Sequence, residues 1–276
     1  MEKQREKTAM IVFTRVPIAG QTKTRLLSKF TPEQARDLHE LFVSKAVKAA
    51  LEARSKTGSD IFFFYTPTSE RSVLQKIADR VYADLPIECR GTEEIRGRKV
   101  STKDEKKEKI ASMHDTDDEG KDLLPVSCPA QYIPQHGEDL WKRMDRAFAH
   151  CFLQGYDRVI LFGTDIPEIA GSDLTQALSL LRYVDLVIAP TVDKGYYMIG
   201  MRHHIPAVFS DLDREDPDVL KASIRAIEGS SSYAILQKRN DIDTPQDLLA
   251  LIGRLKRGDE GCRKNLDDIL KIIDRR

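Results

Sequence analysis

The stretch AMIVFTRVPIAGQTKTRLL, residues 9–27, runs from five apolar residues straight into a loop that carries Arg15, Gly20, Lys23 and Arg25. An unbroken apolar run of this kind is what a strand buried on both faces requires. In open α/β sheets ligands bind beyond the carboxyl ends of the strands, and a loop that leads from the first strand into a helix presents free N–H groups to an anion. Gly20 permits close backbone approach, and the basic side chains supply charge. The stretch therefore reads as a buried strand followed by a loop that handles a phosphate. An ordinary strand-to-helix connection with solvated cations fits these residues equally well. The pattern is not a P-loop, because Thr22 stands where GxxxxGK[ST] needs a second Gly.

Outward from this stretch, strand-like and helix-like patterns alternate. TPEQARDLHELFVSKAVKAALEA has the 3.6-residue period of an amphipathic helix, with Thr31 as N-cap, Pro32 in the first turn and Gln34 placed to complete a capping box. DIFFFY (60–65) predicts a second buried strand and SERSVLQKIADR a helix. Further along, EDLWKRMDRAFAHCFLQG predicts a helix and DRVILFG (157–163) another buried strand. SDLTQALSLLRY and DPDVLKASIRAIEG read as helices, DLVIAP and YYMIGM as strands. TPQDLLALIGRLKRG and a last helix within 260–276 close the chain. This order predicts a three-layer α/β/α fold on a mostly parallel sheet, the last two strands forming an antiparallel addition. The expected organisation is one domain over 1–276. Residues 91–130, rich in both charges and poor in aromatics, are expected to form a mobile insertion, because they bury too little apolar surface to offset their ordering entropy. His114 with Asp115, Asp117 and Asp118 reads there as a solvated acidic loop.

Of 276 residues, 41% are hydrophobic, enough for a sizeable core, and 44 Lys and Arg balance 44 Asp and Glu. The broad positive field of a protein that wraps nucleic acid is missing, and a balanced net charge is compatible with a local anion site. The charged start MEKQREKTAM lacks a signal-peptide core, and no run approaches a membrane span, so a soluble, cytoplasmic protein is expected. Cys89, Cys128, Cys151 and Cys262 lack CxxC spacing and read as reduced thiols.

Three further stretches bear chemistry. In LFGTDIPEI (161–169) a buried strand ends at Gly-Thr-Asp, so Asp165 emerges at the same sheet edge as the first loop. A carboxylate facing phosphates there calls for a divalent cation, and magnesium takes one or two carboxylates beside phosphate oxygens. The rival reading has Asp165 only capping a turn. In NDIDTPQDLL (240–249), Thr244, Pro245 and Asp247 make a helix start, which leaves Asp243 over as a second candidate metal ligand or a partner of the helix dipole. In APTVDKGYYMIGM, Asp193 precedes a Gly195 turn, which turn chemistry alone would explain. His203 and His204, paired at a strand end, read as surface residues.

Taken together, FTRVPIAGQTKTRLL, PQHGEDLWKRMDRAF, GTDIP, DKGYYMIG and DIDTPQDL resemble a glycosyltransferase-A-fold family that includes the arsenosugar-biosynthesis glycosyltransferases. More distantly they are similar to the molybdenum-cofactor and phospholactate guanylyltransferases. The resemblance spans roughly residues 9–90 and 131–258 and implies a nucleotide-diphospho-sugar transferase fold. It implies that Arg15, Gly20, Lys23 and Arg25 hold nucleotide phosphates, with Lys23 also assisting catalysis. Gln135, Asp139 and Arg143 would lie beside the nucleotide. Asp165 and Asp243 would hold Mg²⁺ or Mn²⁺, and Asp193 would act on the acceptor side as a base. The family pattern has Gly where this chain has Trp141, has Gly-Gly directly after Asp193 where Lys194 intervenes, and has a Trp-Ser-Thr sequence that FSDLDREDPDVL lacks. The implied reaction is glycosyl transfer from a nucleotide-sugar to a small-molecule acceptor, independent of nucleic acid. Nucleotidyl transfer from a nucleoside triphosphate to a phosphorylated small molecule is the alternative. Nucleotide binding without turnover is the third.

Overall fold

The computed structural model describes residues 6–86, 90, 127–210 and 218–275. The expected insertion at 91–130 lies almost wholly outside them, as do His114 and its acidic neighbours.

Strand β1 (Thr8–Arg15) is the apolar run of the opening stretch, and Ala9, Met10, Ile11 and Val12 are fully buried. Burial on both faces puts it at the centre of the sheet. It pairs in parallel with β2 (Asp60–Thr66), with Val12 opposite Phe63, and in parallel with β4 (Arg158–Gly163), with Val12 opposite Phe162. β3 (Ala130–Pro134) adds a parallel edge beside β2. On the other side, β6 (Tyr196–Met201) lies antiparallel between β4 and β5 (Leu186–Pro190), and β7 (Tyr233–Ile235) extends β5 in parallel. The described residues thus form one sheet in the order β3-β2-β1-β4-β6-β5-β7. Only β6 runs against the rest. The expected antiparallel pair is corrected to one strand, because β5 returns to the parallel direction by pairing through β6.

Alternate residues of each strand feed two separate layers, as the pleat requires. Met10, Val12, Phe63 and Phe162 pack against helices α1 (Pro32–Thr57), α2 (Arg71–Ala83) and α4 (Gly171–Leu180). Ile11, Phe62, Phe64 and Leu161 pack against α3 (Leu140–Leu153), whose Met144, Phe148 and Cys151 face the sheet. These are the three layers. The short helix α5 (Val219–Arg225) covers the far end of that second face, and the expected helix over 216–229 is reduced to it within the described residues.

Helix α1 starts as the sequence predicts. Thr31 Oγ1 accepts from Gln34 N at 3.1 Å, and Gln34 Oε1 accepts from Thr31 N at 2.9 Å. Its first half does not face the sheet. Ala35, Leu38 and Phe42 instead join Leu26, Ile242 and helices α6 (Pro245–Lys256) and α7 (Glu260–Ile273) in a third cluster. That packing carries the chain's C-terminal part back to the loop after β1. It places residues 241–243 beside residues 23–25.

A cation-and-carboxylate cleft at the carboxyl ends of the strands

The loop after β1 does not run directly into α1. Residues Thr24–Ser28 make a short 3-10 turn, and Lys23 precedes it in the left-handed region at φ 50°. A non-glycine residue held there stores strain of order 1–2 kcal/mol, which surrounding contacts must offset. The contacts are on the Lys23 ammonium. Its Nζ lies 2.5 Å from Asp165 Oδ1 and 3.1 Å from Asp243 Oδ1, and it donates to the Ile242 carbonyl at 2.6 Å. The ring of Phe42 lies 5.9 Å below it. Only 5% of the Lys23 side chain is exposed, against 48% for Asp165. The ammonium is therefore a fixed charge, with the more open Asp165 carboxylate presented above it.

Two contacts, one between side chains and one between backbone groups, explain why the carboxylates meet there. Thr164, next to the end of β4, pairs its hydroxyl with that of Thr14 on β1 at 3.0 Å, both buried, which fixes Asp165 at the sheet edge. Ile242 N then donates to the Asp165 carbonyl at 3.0 Å, while its side chain is fully buried. With Ile242 pinned inward, Asp241 and Asp243 on either side of it both line the cleft. Arg25 Nη1 completes the group at 3.2 Å from Asp243 Oδ2.

The cleft has a volume of about 1160 Å³. It brings together nine of the ten residues singled out from the sequence: Arg15, Lys23, Arg25, Gln135, Asp139, Arg143, Asp165, Asp193 and Asp243. Gly20 does not line it. That residue is exposed at φ 74°, and a Cβ there would meet nothing within 4 Å, so its role is to allow the turn. Several of the nine also hold the scaffold. Gln135 Nε2 donates to the carbonyls of Thr14 and Phe64 at 3.1 and 2.9 Å, tying β1 to β2. Asp139 is the N-cap of α3 and accepts from Lys142 N at 2.8 Å. Arg143 Nε donates to the Gly137 carbonyl at 2.9 Å. Asp193 Oδ1 accepts from the Thr191 hydroxyl and from Gly195 N at 3.3 Å, so it makes a turn while also facing the cleft. Lys194 follows in the left-handed region at φ 72°, a conformation glycine adopts freely. His203 and His204 lie outside the cleft, near Asp185 and Asp145 respectively.

His39 and Asp241 are among the cleft residues not singled out from the sequence. His39 sits on the buried face of α1, and its Nε2 lies 3.0 Å from the Arg15 carbonyl. Burial lowers its pKa, and with the Lys23 and Arg15 charges it outweighs the opposing Asp165 carboxylate, so the ring is neutral and donates from Nε2. A histidine within the Leu38–Phe42 stripe was the available signal. The second is Asp241, masked by its place in a polar loop. Burial first, and then the Asp193 and Asp243 carboxylates, push its pKa up to about 6. Asp165 behaves in the opposite way. Burial acts to raise it, but the Lys23 charge and hydrogen bond, with the Arg15 charge, outweigh burial and hold the carboxyl below the usual aspartate range.

A raised folded-state value stabilises the protein below the ordinary aspartate pKa, and that contribution is lost as pH rises toward 6. Asp241→Asn is therefore expected to raise the Tm at pH 7 to 8 and to leave it unchanged near pH 3. Thermal unfolding of both proteins across that range checks this. Equal Tm differences at every pH would show that Asp241 is not crowded by its neighbours.

The chain superposes on a protein of Desulfovibrio desulfuricans G20 provisionally named a nucleotide-diphospho-sugar transferase, with 23% identity, a TM-score of 0.66, and 96% of this chain and 97% of that one covered. The fold is that of the nucleotide-diphospho-sugar transferases. Two other solved structures align with lower scores. One is 4-diphosphocytidyl-2C-methyl-D-erythritol synthase from Anaerococcus prevotii DSM 20548, with 10% identity, a TM-score of 0.49, and 92% and 100% of the two chains covered. The other is a cytidylyltransferase from Leptospira borgpetersenii serovar Hardjo-bovis, with 12% identity, a TM-score of 0.46, and 98% of both chains covered. In sequence, residues 98–214 match the family model DUF2064, described as an uncharacterized protein conserved in bacteria. No curated protein matches the sequence. Among the described residues no helix is long and apolar enough to cross a membrane.

Proposed function

We propose that this protein is a metal-dependent transferase that takes a nucleotide-activated sugar as glycosyl donor and passes the sugar to a small-molecule acceptor. The observation that carries this reading is the Lys23 ammonium, buried and strained at the carboxyl edge of a parallel sheet, bracketed by Asp165 and Asp243 and flanked by Arg15 and Arg25. Fixed cations at a strand-end cleft are what a diphosphate requires, and preorganised charge at the leaving group is usually the largest electrostatic contribution to such a reaction. Arg15 and Arg25 bind and orient the phosphates. Lys23 stabilises the charge that builds on the departing nucleoside diphosphate. The acceptor hydroxyl oxygen bonds to the anomeric carbon, the bond from that carbon to the diphosphate breaks, and the hydroxyl proton passes to Asp193.

The donor set fits a hard divalent cation, since Asp165 and Asp243 are oxygen ligands and Asp165 stays ionised. Among the described residues no group of three or more protein ligands converges, so Mg²⁺ or Mn²⁺ would be held by these two carboxylates with phosphate oxygens completing the shell. When bound, such an ion would neutralise phosphate charge.

Nucleotidyl transfer has an observation of its own. Thr164 is buried and engaged with Thr14, so the β4 edge offers the single acid Asp165, and the second carboxylate arrives from the segment before α6. A thermal-shift screen against nucleoside diphospho-sugars and nucleoside triphosphates, each with and without Mg²⁺ or Mn²⁺, separates the two. At ligand near 100 Kd the expected stabilisation is about 2.7 kcal/mol, or several degrees in Tm. A metal-dependent shift with one diphospho-sugar supports glycosyl transfer, and preference for a triphosphate supports nucleotidyl transfer. No shift with any ligand removes the nucleotide reading.

A further inference from the structure

We propose that Trp141, with Tyr196, Leu140 and Val219, forms an acceptor subsite that takes a flat apolar ring bearing a hydroxyl group, the chemistry of an aromatic alcohol or phenol. This deepens the glycosyl-transfer reading and rests on it. Trp141 lies two residues beyond the N-cap of α3, and its indole reaches the cleft wall, where its ring centroid is 6.1 Å from that of Tyr196 with the planes at 51°. Tyr196 opens β6 three residues after Asp193, so the aromatic pair adjoins the carboxylate assigned to the acceptor side. Leu140 remains 49% exposed, and Val219 at the start of α5 lines the same cleft.

The cleft is thus divided by chemistry. Its β1 side holds Arg15, Lys23 and Arg25 with most of the carboxylates, and the α3 side, besides Glu138, Asp139 and Arg143, offers rings and branched aliphatic groups. A nucleobase carries hydrogen-bonding groups along its edge that must find partners once out of water. Apart from the Trp141 Nε1–H and the buried Tyr196 hydroxyl, this wall supplies contact area, which suits an apolar ring with a single hydroxyl better than a base. A second observation points to a ligand. The indole Nε1–H is buried without a hydrogen-bond acceptor. A buried donor in that state is a cost to the free protein, which the oxygen of an arriving acceptor, and the small turn of the indole that admits it, would remove.

Trp141 is the only tryptophan in the chain, so its fluorescence reports on this wall alone. The test titrates the full chain, without any phosphate compound, with 2-phenylethanol, benzyl alcohol and cyclohexylmethanol, and separately with uridine and cytidine. The expected result is a saturable change in emission with the two aromatic alcohols, and affinity about tenfold weaker for the non-planar cyclohexylmethanol. By calorimetry, Trp141→Ala should weaken 2-phenylethanol about tenfold, and Trp141→Phe should retain most of the affinity. Where Trp141→Ala folds poorly, Trp141→Leu keeps the bulk without the flat face and carries the same comparison. A response to the nucleosides and not to the aromatic alcohols assigns the wall to the donor base and overturns the proposal. No saturable response to either class also overturns it. Because no phosphate is present, failure here leaves the outcome of the nucleotide screen untouched, and failure of that screen leaves an aromatic response standing.

Discussion

Lys23→Ala is expected to weaken nucleotide affinity by roughly 10- to 150-fold, the equivalent of losing ~1.5–3 kcal/mol of electrostatic attraction to a fixed charge, with the fold retained. Calorimetry with the nucleotide identified by the screen measures it. The expectation follows from placement. Arg25 has an exposed side chain and can be replaced functionally by other surface cations, but Lys23 is 5% exposed and fixed by two carboxylates and a carbonyl. The same variant has a pH signature. With Lys23 present, the Asp165 pKa is depressed, so its contribution to stability exists above the ordinary aspartate value and is lost as pH falls through the lowered one. Without Lys23 the burial effect gains weight and the Asp165 pKa rises. The Tm gap between the two proteins should therefore be widest at pH 7 and should close toward pH 3. Half-exposure of Asp165 keeps that gap modest, because solvent screens the pair. Unchanged nucleotide affinity in Lys23→Ala would sink the assignment of this loop to phosphates.

The parts of the fold legible in the sequence are those buried on two faces. β1, β2, β4, β5 and β6 are apolar runs because helices cover both sides of each. β3 and β7 escaped because they lie at the sheet edges. Ala130–Pro134 is nowhere fully buried and is interrupted by Gln131, and YAIL (233–236) is a run of only four residues in which Tyr233 and Ile235 are exposed, so neither reads as a buried strand. Strand direction is also invisible in composition, which is why β6 alone being antiparallel emerged only from pairing. The cleft shows the same division. Asp165 and Lys23 stood out because each follows a buried strand, and the fold carries both to one edge. The 3.1 Å contact of Lys23 with Asp243 depends on the third core cluster, where Ile242, α6 and α7 pack on α1 through residues more than 200 positions from Leu26. No local pattern encodes that contact. Asp241 was hidden for a related reason, since its carboxyl is unusual only through neighbours that tertiary packing supplies.

Asp165→Asn is expected to reduce product formation by about 10³-fold, corresponding to ~4 kcal/mol of lost electrostatic stabilisation, while the Tm changes little. Asparagine keeps the shape of the side chain and an oxygen that can accept from Lys23. The backbone bond from Ile242 N to the residue 165 carbonyl is independent of the side chain, so the loop that presents Asp243 stays in place. What the variant removes is one full negative charge from the open side of the Lys23 ammonium. Two consequences separate its roles. As a metal ligand, Asp165 is required for the Mn²⁺ dependence of the nucleotide-induced thermal shift, and that dependence should vanish in the variant. As a partner of Lys23 alone, it leaves the dependence intact while turnover still falls. Asp243→Asn provides the comparison, because Asp243 shares its charge with both Lys23 and Arg25. Its replacement frees two cations for phosphate, so nucleotide affinity without metal should rise in Asp243→Asn as metal dependence weakens. Full turnover in Asp165→Asn would place the reaction away from the β4 edge and with it undo the assignment of this cleft floor to the chemistry.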